Sequence, residues 1–100
     1  MIFAKLTESR WLRREFEVYT PEGLFKVAYI GDGMGYEEVL VNGEVACHKS
    51  SHLWYAPEFY FSIGEYSAFI EVRISIWMTI RYFSLEVDGL QIYSEGQETR

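Results

Sequence analysis

The sequence predicts an all-β protein, an antiparallel β-sandwich of two packed sheets. Apolar and polar residues alternate along most of the chain, which is the pattern of strands with one buried and one solvated face. Aromatic residues make up 18% of the chain, and with the many Val and Ile residues they favour pleated sheets over helices. Turn signals recur at short intervals, as in sandwiches. A small β-barrel is the alternative that the same pattern allows.

The first half of the chain is predicted to form short strands separated by glycine-containing turns. Asn42-Gly43 is the strongest hairpin signal, because both central residues of a type I′ turn need positive φ and these two residues tolerate it. Turns are also expected at Pro21-Glu22-Gly23 and at Gly31–Gly35. Before the first of these turns, Phe16 and Val18 alternate with Glu15, Glu17 and Tyr19, and after it Phe25, Val27 and Tyr29 share one strand face.

The second half contains the clearest alternation, in which Ala68, Ile70, Val72, Ile74 and Ile76 share one face. An unbroken strand over Tyr66–Val87 would be about four times the usual length, so we place a turn near Ser75–Met78. Asp88-Gly89 predicts a second hairpin, into Leu90–Tyr93, and a polar tail follows over Ser94–Arg100. The predicted core consists of Phe59, Phe61, Ile70, Val72, Ile74, Leu85 and Val87.

Little in the sequence favours a helix. The best candidate, Glu8–Phe16, lacks a sustained apolar stripe, so helix should be confined to one or two turns. The segments Val39–Val45 and Leu85–Gln91 resemble each other, as any two hairpins of this type do. Residues 1–100 are the length of one domain with one core, and we expect a single domain.

The charge distribution limits the partners and the compartment. The net charge is −6, with an excess of three positive charges over residues 1–14 and of eight negative charges over residues 15–72. Such a surface repels phosphate backbones, so nucleic acid is not expected as a partner. Cys47 is the only cysteine, and no apolar run suits a signal peptide or a membrane span. These features predict a cytoplasmic protein that does not bind membranes.

Two segments contain residues found in cofactor, metal or nucleophile sites. Gly31–Gly35 is glycine-rich like a phosphate-binding loop, but a strand is predicted after it, so a β-turn is the better interpretation. Cys47 and His48 are neighbours on a predicted strand and therefore point to opposite faces. We expect a half-buried cysteine with His48 and His52 on the surface. The sequence predicts no cofactor and no metal site.

The acidic residues provide the material for acid–base catalysis, without a marked arrangement. Glu15 and Glu17 share one strand face, whereas Glu37 and Glu38 face opposite ways. Neither pair is specially spaced, and strands of half-solvated sheets usually direct acids outward. A small glutamate-dependent enzyme is therefore disfavoured, and no catalytic residue is assigned.

The segment 52–57 is the best candidate for a binding site. It places Trp54 and Tyr55 side by side on a predicted loop, and exposed aromatic side chains are typical of binding interfaces. The competing interpretation is that both rings close one end of the sandwich. We expect Trp54 and Tyr55 to contribute to partner binding or self-association.

The order of four motifs resembles the Fas apoptotic inhibitory molecule (FAIM) family. These are V-L-V-N-G-E-V at 39–45, F-Y-F-S-I-G at 59–64, A-F-I-E-V-R-I at 68–74 and F-S-L-E-V-D-G-L at 83–90. Members of that family carry hairpins of the V-x-V-D-G-K type, an F-x-[VI]-G strand and a second L-x-[VI]-D-G hairpin. The resemblance implies an antiparallel β-sandwich without catalytic machinery.

Three functions are compatible with this sequence. The first is a non-enzymatic module that binds a protein partner. The second is a domain that binds a carbohydrate, suggested by the Trp and Tyr content, or a small apolar ligand held in a closed barrel. The third is the small glutamate-dependent enzyme. We predict the first.

Overall fold

The computed structural model describes residues 1–50 and 58–96. The described residues form antiparallel strands in two sheets and contain no helix. The strands are β1 (Phe3–Arg10), β2 (Arg13–Thr20), β3 (Gly23–Gly31), β4 (Tyr36–Val41), β5 (Glu44–Ser50), β6 (Glu58–Ile63), β7 (Tyr66–Ile74), β8 (Ile80–Val87) and β9 (Leu90–Gly96).

The chain builds one sheet after the other. Strands β1 to β5 form the first sheet and β6 to β9 form the second, each in the order in which the strands follow along the chain. The inner faces pack through aromatic rings: the centroid of Phe16 in β2 lies 5.6 Å from that of Phe83 in β8, and Tyr29 in β3 lies 5.7 Å from Phe59 in β6. The predicted sandwich is therefore confirmed, and over the described residues the sheets do not close into a barrel.

The predicted core is confirmed for the most part. Phe59, Ile70, Val72, Leu85 and Val87 are buried, whereas Phe61 and Ile74 are only half-buried. Phe61 lies on an edge strand, and Ile74 is the last residue of β7, beside a bulge. Ile76 does not share the inward face as predicted, because it lies in the turn after β7 and is exposed.

Both predicted hairpin turns are confirmed, and they share one further feature. Asn42 and Gly43 have φ values of 52° and 85°, and Asp88 and Gly89 have 51° and 81°. The backbone N–H of Asn42 donates to the carbonyl of Lys26, and its Oδ1 accepts from the N–H of Lys26. Asp88 makes the same two bonds to Ser67. The two similar segments are thus also alike in how each hairpin is bonded to the strand beside it, which is β3 for Asn42 and β7 for Asp88.

The predicted turn near Ser75–Met78 is confirmed, and hydrogen bonds of Ser75 hold it although it contains no glycine. The Ser75 N–H donates to the Thr79 carbonyl over 2.9 Å, and the Ser75 Oγ accepts from the Trp77 N–H over 3.2 Å. The Ser75 and Thr79 hydroxyls lie 2.8 Å apart, and Met78 adopts a φ of 63°. Side-chain bonds to nearby backbone stabilise such turns without Gly or Pro.

The two ends of the chain differ from the sequence-based expectation. The candidate helix Glu8–Phe16 is a hairpin that turns at Trp11 and Leu12. Leu12 has a φ of 50° and is fully buried, so its side chain closes this end of the core. The polar tail expected from Ser94 is wrong for its first residues, because β9 continues to Gly96.

Candidate functional site

The turns divide between the two ends of the sandwich. The acidic end is formed by the turns at 21–22, 42–43, 64–65 and 88–89, and it carries Glu22, Glu44, Glu65 and Asp88. The opposite end is formed by the turns at 11–12, 32–35 and 75–79, and we call it the tryptophan end. Four large apolar side chains are exposed there: Trp11 (58%), Met34 (83%), Ile76 (88%) and Trp77 (80%).

Trp11 lies across the neighbouring turn of the first sheet. Gly33 has a φ of 79°, and a Cβ atom there would come within 2.6 Å of Cη2 of Trp11. The missing side chain of Gly33 is therefore what lets the indole rest on the backbone. Asp32 shapes the same turn, since its Oδ1 accepts from the N–H groups of Met34 and Tyr36. This combination leaves Met34 directed away from the core and exposed.

Ile76 and Trp77 occupy the tip of the turn between β7 and β8. The hydrogen bonds of this turn involve Ser75, Thr79 and backbone atoms, so neither apolar side chain is needed to form it. Exposed apolar side chains of this size on several turns at one end of a domain form a candidate interaction surface.

A buried arginine joins the two sheets beside this surface. Arg14 in β2 donates through Nε to Glu95 Oε1 over 2.6 Å and through Nη2 to Glu95 Oε2 over 3.0 Å. Its Nη1 donates to the carbonyls of Arg10 and Arg13, so four of the five guanidinium N–H donors form hydrogen bonds. The Tyr93 hydroxyl donates to Glu95 Oε1 over 2.8 Å. Bidentate bonding of this kind fixes geometry as well as adding stability.

The same contacts change the pKa values of the group. The bond from Arg14 holds the pKa of Glu95 below its ordinary value, against the opposing effect of partial burial. Partial burial and the bond to Glu95 raise the pKa of Tyr93 to about 12. At neutral pH the cluster therefore combines an anionic Glu95 with a neutral Tyr93, whose hydroxyl donates a hydrogen bond to it. This arrangement is a structural clamp between β2 and β9.

A second polar group lies inside the core, also toward the tryptophan end. Glu37 in β4 is fully buried, and its Oε2 accepts from the hydroxyl of Tyr29 over 2.5 Å. Glu37 and Glu38 face opposite ways as predicted, but the general tendency of acids in such strands to point outward does not hold for Glu37. Its position has the same parity as Val39 and Val41, which is the signal that sequence reasoning missed.

The same parity argument applies to Arg14, which alternates in phase with Phe16 and Val18. The exposed turn residues could have been recognised from a different feature of the sequence. A turn residue does not follow the alternation of a strand, so a large apolar side chain there can remain exposed, and Trp77 lies between Ser75 and Thr79 in a predicted turn. Attention to apolar residues in turns would have found the tryptophan end.

The structure tests only some of the residues singled out in the sequence. Trp54 and Tyr55 lie outside the described residues, as does His52. Cys47 is half-buried and His48 is exposed, as predicted.

The structure also describes two other segments that were considered as sites in the sequence. Gly31–Gly35 forms the end of β3 and the turn into β4, in agreement with the β-turn interpretation. Glu15 and Glu17 both line a groove on the outer face of the first sheet.

No protein-family model, curated protein or solved structure matches the chain. Within residues 1–50 and 58–96, no three His, Cys, Asp or Glu side chains are grouped so that they could hold a metal ion. The same part of the chain contains no helix of the length and apolarity needed to cross a membrane.

Proposed function

We propose that this protein is a non-enzymatic module that binds a protein partner through the tryptophan end. The observation that carries the proposal is the exposure of Trp11, Met34, Ile76 and Trp77 on turns at the same end of the sandwich. Trp is among the residues that dominate binding energy in protein interfaces, and Met adapts to irregular partner surfaces.

The contacts that hold these side chains and their turns in place favour binding without rearrangement. Trp11 rests on Gly33, and the turn that carries Trp77 is fixed by the hydrogen bonds of Ser75. The Arg14–Glu95 clamp joins the two sheets at this end. A surface held in this way loses little conformational freedom on association, which leaves more of the interaction energy for affinity.

The test is affinity capture from a lysate of the native host, quantified by mass spectrometry. A double variant, Ile76→Ser with Trp77→Ser, removes two large apolar side chains and leaves the hydrogen-bonding atoms of the turn in place. We expect at least a tenfold loss of the captured partner, since removing an interface aromatic typically costs more than about 1.4 kcal/mol.

Leu90→Ser is the matched control, because Leu90 is 61% exposed and follows a turn at the acidic end. It should capture the same partner as the unmodified protein. Equal capture by the double variant and the unmodified protein, with both folded, would remove the tryptophan end as the binding surface.

Two wider predictions belong to the same proposal. The resemblance to the Fas apoptotic inhibitory molecule family implies a non-enzymatic role, and we retain it as a prediction. We also propose that the protein acts in the cytoplasm, where immunofluorescence of the untagged protein would locate it.

A further inference from the structure

The outer face of the first sheet contains a groove of about 540 Å³. Ala28 in β3 is the smallest side chain that lines it, and it lies between Glu15 in β2 and Leu40 in β4. A methyl group between longer neighbours leaves a depression in the sheet surface. The volume lies within the range of small-molecule sites, which is roughly 300–1,000 Å³.

A β-bulge shapes one side of this groove. The pairing of β1 with β2 shifts between Leu6 and Glu8, so Thr7 has no directly opposed residue. Thr7 lines the groove and supplies a hydroxyl there. Bulges recur next to binding sites, where they redirect one side chain.

The charges of the groove balance. Two cations, Arg13 and Lys26, and two anions, Glu15 and Glu17, line it, although the whole chain has a net charge of −6. A balanced site has no net attraction for an anion or a cation. The geometry therefore favours a neutral ligand with many hydrogen-bonding groups.

The two carboxylates are held in position by neighbours. Arg13 Nε donates to Glu15 Oε2 over 2.5 Å, and the Tyr19 hydroxyl donates to Glu17 Oε1 over 2.7 Å. Each carboxylate keeps a second oxygen that can accept a hydrogen bond from a ligand hydroxyl. Acceptors fixed in this way lower the entropic cost of binding.

Apolar side chains complete the site. Ile30 and Leu40 line the groove beside Ala28. Apolar side chains beside fixed polar groups complement a sugar ring, which has C–H faces and a rim of hydroxyls.

We propose that this groove binds a neutral oligosaccharide of pyranose units. The site is separate from the tryptophan end, so it is a second function and does not depend on the proposed protein partner. Because one shallow groove buries only part of such a ligand, we expect dissociation constants of about 1 mM, near −4 kcal/mol.

Nuclear magnetic resonance of the ¹⁵N-labelled whole chain tests the proposal. The probes are neutral tetrasaccharides of β-linked glucose, α-linked glucose and β-linked N-acetylglucosamine, each raised to about 10 mM. We expect at least one probe to cause saturable shifts in the amides of Thr7, Glu15, Glu17 and Ala28. No saturable shift with any of the three probes overturns the proposal. It is also overturned if a zwitterionic tetrapeptide alone causes the shifts.

Ala28→Leu should fill the groove and weaken saccharide binding at least tenfold. Ala46→Leu makes the same change at an exposed position of the edge strand β5 and should bind as the unmodified protein does.

Glu17→Ala, which leaves the floor of the groove intact, provides a second test and should also weaken binding. The Ile76→Ser, Trp77→Ser double variant should bind saccharide normally, which separates this site from the proposed partner surface. Unchanged affinity in both groove variants contradicts the proposal.

Discussion

The two ends of this sandwich are built in different ways. The acidic end consists of tight turns in which Asn42-Gly43 and Asp88-Gly89 adopt positive φ, and each is tied by two hydrogen bonds to the adjacent strand. The tryptophan end also contains residues with positive φ, Leu12 and Met78, but it has two further supports: Leu12 is fully buried and Arg14 joins the sheets. The two ends therefore share positive φ in their turns and differ in the buried side chains that support them.

Residues that stabilise a turn can therefore be distinguished from residues that form an exposed surface. At the acidic end, the tips of two turns carry Asn42-Gly43 and Asp88-Gly89, residue types that those turns require. At the tryptophan end, the side chains of Ile76 and Trp77 take no part in the hydrogen bonds of their turn, and they remain exposed. Substitutions at the two ends should therefore divide into those that change stability and those that change binding.

If both ends of the sandwich share one core, a substitution at Ile70 in β7 should destabilise the whole domain. Ile70 is fully buried in the shared cluster. Ile70→Ala should lower the free energy of unfolding by about 2–5 kcal/mol, from lost burial and the cavity left behind. Urea denaturation followed by tryptophan fluorescence and by circular dichroism should give one coincident transition. A loss below about 1 kcal/mol, or two transitions, would mean that the two ends do not share this core.

The largest effect that is specific to the tryptophan end should come from Arg14. Arg14→Met keeps much of the side-chain volume but leaves Glu95 without its bidentate partner and two backbone carbonyls without a donor. We expect a loss of about 1–3 kcal/mol, below the full cost of breaking a buried pair because Glu95 is partly exposed. Arg10→Met is the control, since Arg10 forms an exposed ion pair with Glu8, and it should cost less than about 1 kcal/mol. Equal losses for the two variants would show that Arg14 does not clamp the sheets.

The turns offer the most direct contrast between the two ends. Gly43→Val or Gly89→Val should destabilise by about 1 kcal/mol or more, because a β-branched residue resists positive φ. The Ile76→Ser, Trp77→Ser double variant should change stability by less than about 0.5 kcal/mol, as exposed substitutions usually do. Thermal melting of the three variants measures both effects. The contrast fails if the glycine variants melt unchanged or if the double variant is the least stable of the three.

The sequence predicted the acidic end better than the tryptophan end, for a physical reason. Tight turns need residues that accept positive φ, so Asn42-Gly43 and Asp88-Gly89 could be recognised from residue type alone. Alternation also identified most of the core, including Ile70. It could have identified Arg14 and Glu37 as inward-facing, but their charge argues for the surface until their partners are known.

Those partners are distant in sequence, which limited the prediction. Glu95 is 81 positions from Arg14, and only the packing of β9 against the first sheet brings them together. The outer groove is hidden for the same reason, since it depends on the register that places Ala28 between Glu15 and Leu40. Alternation gives the face of a strand but not its neighbours.

The smallest expected effect, and the last test of the comparison, is an opposite response of the two ends to pH. At the acidic end, partial desolvation and a hydrogen bond with Glu65 raise the pKa of Glu22 above its ordinary 4.5. The folded state therefore binds this proton before the unfolded state does, and the contribution of Glu22 becomes more favourable as pH falls through the raised pKa. At the tryptophan end, Arg14 lowers the pKa of Glu95 below 4.5, so its stabilising contribution is present above pH 4.5 and is lost as pH falls through the lowered pKa.

Melting temperatures measured from neutral pH down to about pH 3 should show this opposition in two variants. Glu22→Gln should melt above the unmodified protein at neutral pH, because the charge repelled by Glu65 is gone, and the gain should disappear as pH falls toward 4.5. Glu95→Gln should melt below the unmodified protein at neutral pH, and its deficit should shrink only below pH 4.5, where the Arg14–Glu95 pair is lost in the unmodified protein as well. Glu44→Gln removes one exposed charge from the acidic end and controls for the change in net charge. If Glu22→Gln and Glu95→Gln shift the melting temperature in the same direction at neutral pH, the two ends do not differ electrostatically in the way that their contacts indicate.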